Sequence, residues 1–176
     1  MDACNEIVVR SVRPEDAQAI ANVHGRTWRV GYTDLLTAEQ IELTVPQRCS
    51  VERWERIVVS LRFEQDTLLL AEREECVIGF VQFGGSKERP NWGEIHRIYV
   101  VPEEWGRGAA QLLMDAALAA FAARGDAGVV LWTPATPRSR RFYERNGFEP
   151  TGATRTLADG LGVTDKEYVF SPPASP

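Results

Sequence analysis

Apolar positions in the first third of the chain change from the two-residue period of a strand to the spacing of helices. Residues 6–12 alternate as a strand, and Pro14, followed by two acidic residues, predicts the first turn of a helix that runs to about Trp28 or Val30. Thr37 and the glutamine three residues later form the pattern of a capping box, which opens a second helix. Apolar residues at helical spacing over 51–63 indicate a third helix.

The rest of the chain alternates between strand-like hydrophobic runs and helices. Strands are expected at 67–71 and 77–83 with a charged turn at 72–75 between them, from Trp92 or Glu94 to Val101, at 129–133, around Asp159 and Gly160, and at 168–170. Helices are expected at 137–145 and, before that, on an apolar face of Leu112, Leu113, Ala116, Ala117, Ala120 and Phe121. Pro102 cannot donate to a strand ladder, and Gly125 has the position of a helix C-cap. This order predicts an α/β (α+β) fold in which helices cover both faces of a mixed sheet.

The composition argues against several classes of protein. The formal net charge is −5, and basic residues are scattered among acidic ones, so the basic stripe of a nucleic-acid or membrane-surface binder is missing. Neither a leader nor a membrane-spanning run is visible, which favours the cytoplasm. Cys4, Cys49 and Cys76 lack the spacing of a zinc site or a disulfide framework, so no metal is expected. We expect one domain over 1–170 and a disordered tail over 171–176.

The most informative stretch leads from the strand that ends near Val100 through a loop of small residues into a helix. Its residues are Trp105, Gly106, Arg107, Gly108, Ala109, Ala110 and Gln111. Small residues let successive backbone N–H groups converge, and the new helix adds unsatisfied donors and a partial positive charge. Such a turn can hold a pyrophosphate. It lacks the Gly-Lys-Ser/Thr of a Walker A loop and the third glycine of a dinucleotide fingerprint.

This stretch resembles the coenzyme A signature of the GNAT family of N-acetyltransferases, usually Q/R-x-x-G-x-G/A after a strand that ends V-x-P. Trp105 stands in place of the Gln or Arg, and Ala110 fits the last position. About thirty residues later, 136–148 resembles the family's N-x-x-A-x-x-F-Y-x-x-x-G-F. The matching residues are Phe142, Tyr143, Gly147 and Phe148, whereas Thr136 and Ser139 replace the Asn and the Ala.

The resemblance implies a mostly antiparallel sheet of about seven strands with splayed central strands. It also implies acetyl-CoA as co-substrate, transfer of the acetyl group to a primary amine by direct attack in a ternary complex, and a possible homodimer. The implied cofactor contacts are Ile98, Tyr99, Val100, Trp105, Gly106, Arg107, Gly108, Ala109, Ala110, Gln111, Thr136 and Tyr143.

Tyr143 matches the family tyrosine near the cofactor sulfur and is the candidate general acid. Glu94 is the first candidate for the general base. Strand alternation would place it with His96 on the face of Ile98 and Val100, so that His96 could share or replace its role. The acceptor amine would meet Trp28, Tyr32 and Glu94.

Other interpretations stay open at this level. The same motifs could serve a module that senses acyl-CoA without transferring the acyl group, and the glycine turn alone could bind another nucleotide phosphate. Tyr143 could be an ordinary core residue, and Glu94 an exposed acid at a strand start. The acidic charge balance favours a cationic acceptor such as a polyamine, an aminoglycoside or a protein N-terminus.

Overall fold

A computed structural model describes residues 6–134, 136–156 and 160–172. The strands are β1 (Ile7–Ser11), β2 (Thr67–Arg73), β3 (Cys76–Gly85), β4 (Gly93–Val100), β5 (Val129–Pro134), β6 (Glu149–Thr156) and β7 (Thr164–Phe170). The helices are α1 (Ala17–Gly31), α2 (Ala38–Arg48), α3 (Val51–Glu64), α4 (Ala109–Arg124) and α5 (Pro137–Arg145). Cys4, Asp159 and residues 173–176 of the expected tail lie outside the described residues.

The strands form one seven-stranded sheet in the order β1-β2-β3-β4-β5-β7-β6. Every neighbouring pair is antiparallel except β4 and β5, which are parallel. A parallel neighbour needs a crossover, and α4 supplies it between β4 and β5. The expected mixed, mostly antiparallel sheet of seven strands is therefore confirmed.

Local signals in the sequence placed most of the helices and strands correctly. The capping box is confirmed, because the backbone N–H of Thr37 donates to the Gln40 side chain at 2.9 Å and that of Gln40 donates to the Thr37 hydroxyl at 3.2 Å. The first helix begins later than expected, since Pro14–Asp16 forms a turn of 3-10 helix before α1. The strand expected around Asp159 and Gly160 lies earlier, as β6, and Gly160 belongs to the following turn.

Helices cover both faces of the sheet. On one face α1 packs against α3 and against β3 and β4, while α4 packs on the other face against β2, β3 and β4. The largest fully buried side chains are Trp54, Phe80, Phe83, Phe121, Phe148 and Tyr168. No helix within the described ranges is long and apolar enough to cross a membrane.

The two central strands separate soon after they meet. Pairing between β4 and β5 covers three residue pairs, from Gly93 with Val129 to Ile95 with Leu131. Beyond Ile95, β4 stays paired with β3 as far as Val100, and β5 stays paired with β7 as far as Pro134. The expected splay is therefore present, and it opens a gap in the middle of the sheet.

The paired segment begins at Gly93, where the backbone of β4 meets the buried ring of Phe121. A Cβ atom at Gly93 would overlap that ring, whereas one at Gly85, its partner on β3, would touch nothing. We expect Gly93→Ala to lower the free energy of unfolding by about 1–3 kcal/mol, the usual effect of overpacking a core. Urea denaturation measures this value, with Gly85→Ala as the matched control. Equal stability of the two variants would contradict the packing described at this point.

Candidate active site

A cleft of about 830 Å³ opens between the ends of β4 and β5 that no longer pair. Ten of the residues expected to bind the cofactor line it: Ile98, Tyr99, Val100, Trp105, Gly106, Gly108, Ala110, Gln111, Thr136 and Tyr143. Two others lie in the same turn without lining the cleft. Ala109 is buried in the core, and the Arg107 guanidinium lies 3.7 Å from a carboxylate oxygen of Glu104.

The turn before α4 offers backbone donors at one end of the cleft. Gly106 and Gly108 have φ angles of 78° and 96°, a left-handed conformation that favours glycine. No carbonyl group in the described part of the chain accepts a hydrogen bond from the backbone N–H of Gly106, Gly108, Ala109 or Ala110. Free N–H groups at a helix N-terminus, where the helix dipole adds positive charge, fit a pyrophosphate. These residues therefore fit coenzyme A.

The Trp105 side chain stabilises the end of β4. Its indole N–H donates to the Val100 carbonyl at 2.7 Å; the Thr27 hydroxyl, which is 2.7 Å from the Val23 carbonyl, lies 3.1 Å from the same Val100 oxygen. The guanidinium of Arg138 lies 3.5 Å from the centroid of the indole ring. This cation–π contact holds a positive charge beside the turn of free N–H groups.

Thr136 and Ser139, the two departures from the second motif, shape the start of α5. The hydroxyl of Thr136 accepts the backbone N–H of Ser139 at 3.2 Å and so caps the helix. The Ser139 hydroxyl donates to the Pro134 carbonyl at 2.9 Å. The pair thus ties α5 to the end of β5, which forms one wall of the cleft.

Tyr143 lies on α5 with its side chain buried, and it reaches the lining of the cleft. Its hydroxyl is hydrogen-bonded to Thr133, and its ring centroid lies 6.0 Å from that of Phe148 and 6.1 Å from that of Tyr168. Burial is the main cause that raises the pKa of Tyr143 well above its ordinary value. The phenol is therefore protonated at neutral pH and can donate a hydrogen bond.

A β-bulge at His96 corrects one expectation about the face of β4. The two neighbours of His96 along the strand pair with consecutive residues of β3, so the alternation of side chains is interrupted there. Glu94 and His96 point to the α1 and α3 face together with Tyr99, whereas Val100 packs toward α4. The expectation that Glu94 and His96 share a face with Ile98 and Val100 is therefore wrong.

His96 lines the cleft and lies between two carboxylates. Its Nε2 atom is 3.3 Å from Oδ1 of Asp66, and its Nδ1 atom is 3.6 Å from Oε1 of Glu94. Burial acts to lower the pKa of His96, but the hydrogen bonds and charges of Glu94 and Asp66 outweigh it and raise that pKa above the ordinary value. The hydrogen bond with His96 lowers the pKa of Glu94. Glu94 does not line the cleft, so its link to the cleft is through His96.

Trp28 and Tyr32 form an aromatic wall on the α1 side. Tyr32 lines the cleft, and Trp28 lines a smaller cavity next to it. Their rings stack with centroids 3.9 Å apart. Both meet Tyr99, whose hydroxyl oxygen is 3.2 Å from that of Tyr32 and 3.3 Å from the indole nitrogen of Trp28.

Arg97 and Trp132 also line the cleft, although no motif in the sequence indicated them. The sequence carried a usable signal for Arg97, a charged residue in the middle of a central strand. Charged side chains are rarely buried unless they interact with an oppositely charged group. Trp132 gives no local signal, because it faces the cleft only as a result of the splay, one residue beyond the last pair between β5 and β4.

Comparisons with known proteins agree with this geometry. A model of the acetyltransferase (GNAT) family matches residues 26–148. A probable N-acetyltransferase of Mycobacterium tuberculosis is 26% identical over 160 residues, which cover 90% of this chain and 89% of that protein.

Solved structures show the same fold. The PaiA N-acetyltransferase of Thermoplasma acidophilum in complex with coenzyme A has a TM-score of 0.78 at 21% identity, over 94% of this chain and 99% of that one. YncA, a putative acetyltransferase of Salmonella typhimurium with its cofactor acetyl-CoA, has a TM-score of 0.73 at 16% identity, over 97% and 98%. Because the family model covers well over half of the chain, this protein belongs to the acetyltransferase (GNAT) family and is an N-acetyltransferase with acetyl-CoA as its co-substrate.

Proposed function

We propose that the protein moves an acetyl group from acetyl-CoA to a primary amine of a small molecule or peptide, by direct attack in a ternary complex. The observation that carries this proposal is the row of free N–H groups at Gly106, Gly108 and Ala110, placed at one end of the cleft between β4 and β5. A pyrophosphate held there would leave the thioester to extend along the gap, toward the acceptor wall of Trp28 and Tyr32.

The unpaired end of β4 supports placement of the acetyl group there. Beyond Ile95 this strand pairs with no described strand on the β5 side, so its N–H groups that face the gap are available to a ligand, although the Val100 carbonyl is bonded to Trp105. The N–H groups of Ile98 and Val100, which alternate with those that bond β3, would stabilise the oxyanion that forms as the amine attacks the thioester carbonyl. A tight fit in this gap would also exclude water from the thioester.

The proton transfers can be assigned to two residues. A C–N bond forms as the neutral amine attacks, and His96 takes the amine proton, with Asp66 and Glu94 balancing the charge of its ring. The C–S bond then breaks, and the Tyr143 hydroxyl donates its proton to the departing thiolate. A homodimer and a cytoplasmic location stay predictions from family resemblance and composition.

Replacing Tyr143 with phenylalanine tests the general acid. We expect Tyr143→Phe to lower kcat by about 10²–10⁴-fold, the usual contribution of a general acid, with acetyl-CoA affinity preserved. Release of free thiol gives kcat, and calorimetric titration gives the affinity. Tyr168→Phe is the matched control, because Tyr168 is a buried neighbour that does not line the cleft. An unchanged kcat in Tyr143→Phe would remove this residue from the mechanism.

Matched substitutions at the two ends of α4 test whether the turn before this helix binds phosphate. Gly108 and Gly125 cap this helix with φ angles of 96° and 76°, and a Cβ atom at either one would touch nothing in the protein. Valine strains the backbone equally at both, but only Gly108 lines the cleft. We expect Gly108→Val to raise the Kd for acetyl-CoA by about tenfold or more, which corresponds to about 1.4 kcal/mol, whereas Gly125→Val leaves it unchanged. Equal Kd values in calorimetry would place the pyrophosphate elsewhere.

The pair of carboxylates around His96 makes stability depend on pH. Because the pKa of His96 is raised above 6.5 in the folded protein, its stabilising effect is complete below about pH 6.5 and is lost as the pH rises through the folded value. We expect the stability advantage of the wild type over His96→Gln in urea denaturation to shrink from pH 5.5 to pH 8.5.

The difference in unfolding free energy between the wild type and His96→Gln isolates the contribution of His96. Burial lowers the pKa of His24 to about 3, which removes stability as the pH falls below 6.5, but this effect is common to both proteins. A stability difference that does not vary with pH would show that the carboxylates do not hold the charged ring.

A further inference from the structure

A cavity of about 180 Å³ adjoins the cleft on the α1 side. Six of the described residues line both the cleft and the cavity, so a group bound in the cavity would lie next to an amine in the cleft: Tyr32, His96, Arg97, Tyr99, Trp132 and Pro134. A volume of this size holds a few heavy atoms, about six water molecules' worth of liquid. The cavity therefore suits one functional group of the acceptor and not a second large ligand.

Arginine side chains from different elements meet at this cavity. Arg97 comes from β4, Arg155 from β6, Arg48 from α2 and Arg53 from α3. Aromatic rings lie under three of these guanidinium groups: Arg97 is 5.4 Å from the centroid of Trp54, Arg155 4.5 Å from that of Trp132, and Arg48 5.4 Å from that of Trp28. Such stacking orients a guanidinium, and for Arg97 it leaves the edge of the group available to a ligand.

The charges at this cavity are unbalanced. Among the described residues that line it, Asp165 is the one acid, and its Oδ2 atom lies 3.6 Å from Nε of Arg155. Arg97 is half-buried, yet no carboxylate of the described residues lies within 4.0 Å of its nitrogens. A partly desolvated cation with no carboxylate in direct contact is unfavourable unless a ligand supplies the opposite charge.

The arginine charges at this cavity also affect the pKa values of Arg97 and His24. Burial is the main cause that lowers the pKa of Arg97, and the charges of Arg53 and Arg48 lower it further, against opposing effects of Tyr99 and Asp66. Burial likewise lowers the pKa of His24, and the nearby Arg97, Arg53 and Arg48 lower it further. His24 is thus neutral at physiological pH and adds no charge to the cavity.

We infer that this cavity binds a carboxylate of the acceptor, so that the substrate is a small amine that carries an acid group close to its amino group. The inference rests on the proposed function, because the cleft must place the amine beside the acetyl group. A guanidinium donates two parallel N–H bonds to a carboxylate, and Arg97 lies where cleft and cavity join. The wall of Trp28, Tyr32 and Trp132 would pack the apolar part of such an acceptor.

An acceptor with an acid group differs from the cationic acceptor that the net charge of the chain favours. The chain carries −5 overall, which would attract a polyamine, but the charge that a bound substrate meets is the local one. A peptide N-terminus is also disfavoured, since a neutral amide takes the place of the carboxylate beside its amine and leaves the Arg97 charge unbalanced.

Two matched sets of amines test the inference: phenylalanine, phenylalaninamide and phenethylamine, and leucine, leucinamide and isoamylamine. Within each set the side chain is constant and only the carboxylate changes. Thiol release from acetyl-CoA gives kcat/KM for each amine, and calorimetry gives binding of each amine to the protein with coenzyme A. Variants are Arg97→Gln and Arg53→Gln, with Arg56→Gln, an exposed arginine of the same helix as Arg53 that lies outside the cavity, as control.

We expect the wild type to prefer the acid over its amide by about tenfold or more in kcat/KM, the size of a charge-assisted hydrogen-bonded pair. Arg97→Gln should bring the ratio close to one and Arg53→Gln should lower it, while Arg56→Gln keeps it and all variants keep acetyl-CoA affinity. Arg53 is exposed, so its variant reports on the cavity even if Arg97→Gln is poorly folded.

The other outcomes separate this inference from the proposed function. Faster release with amides or cationic amines, or a ratio that Arg97→Gln leaves unchanged, would overturn the carboxylate site while establishing acetyl transfer. No release from any amine, with Arg97-dependent binding of the acids, would support the carboxylate site and contradict transfer to these amines. No release together with no binding of the acids would overturn the inference.

Discussion

The separation of β4 from β5 is the constraint on which the rest of the site depends. A parallel pair that continued to Val100 would satisfy the backbone groups of both strands and would leave no room for a ligand. Each strand instead stays attached to its outer neighbour, β3 or β7, so the gap has two rigid walls. Trp105 holds the last carbonyl of β4, and Ser139 holds that of β5, which keeps the ends of the walls in place.

Two electrostatic environments lie on the acceptor side of this gap. His96 is held between Asp66 and Glu94, which favours the protonated ring and makes it a stronger proton acceptor than an isolated imidazole. The adjoining cavity, which His96 also lines, contains Arg97 and Arg155, with Asp165 as the acid of its described lining. In a protein of net charge −5, this local separation of charge can orient an acceptor that carries both an amine and an acid.

Local features of the sequence were sufficient for most of the fold and for the phosphate-binding turn. Gly106, Gly108 and the start of α4 lie within a few consecutive residues, so their geometry follows from chain chemistry alone. The capping box at Thr37 was predictable for the same reason.

Features that depend on distant segments were not predictable. The bulge at His96 arises from the register between β4 and β3, and it changed the face on which Glu94 was expected. The arginine cavity gathers side chains from two helices and two strands that are far apart along the chain. The residues that we propose to select the acceptor come together only in the folded protein, so a single sequence does not predict their arrangement.

Amide hydrogen exchange with and without acetyl-CoA tests the central claim most directly, because it reports on the backbone groups that the cleft leaves unpaired. The account predicts that saturating acetyl-CoA slows exchange at the unpaired N–H groups of Gly106, Gly108, Ala110, Ile98 and Val100 and leaves the outer strands β1 and β2 unchanged. Protection that appears elsewhere, with none at the turn before α4, would contradict the assignment of this cleft as the acetyl-CoA site.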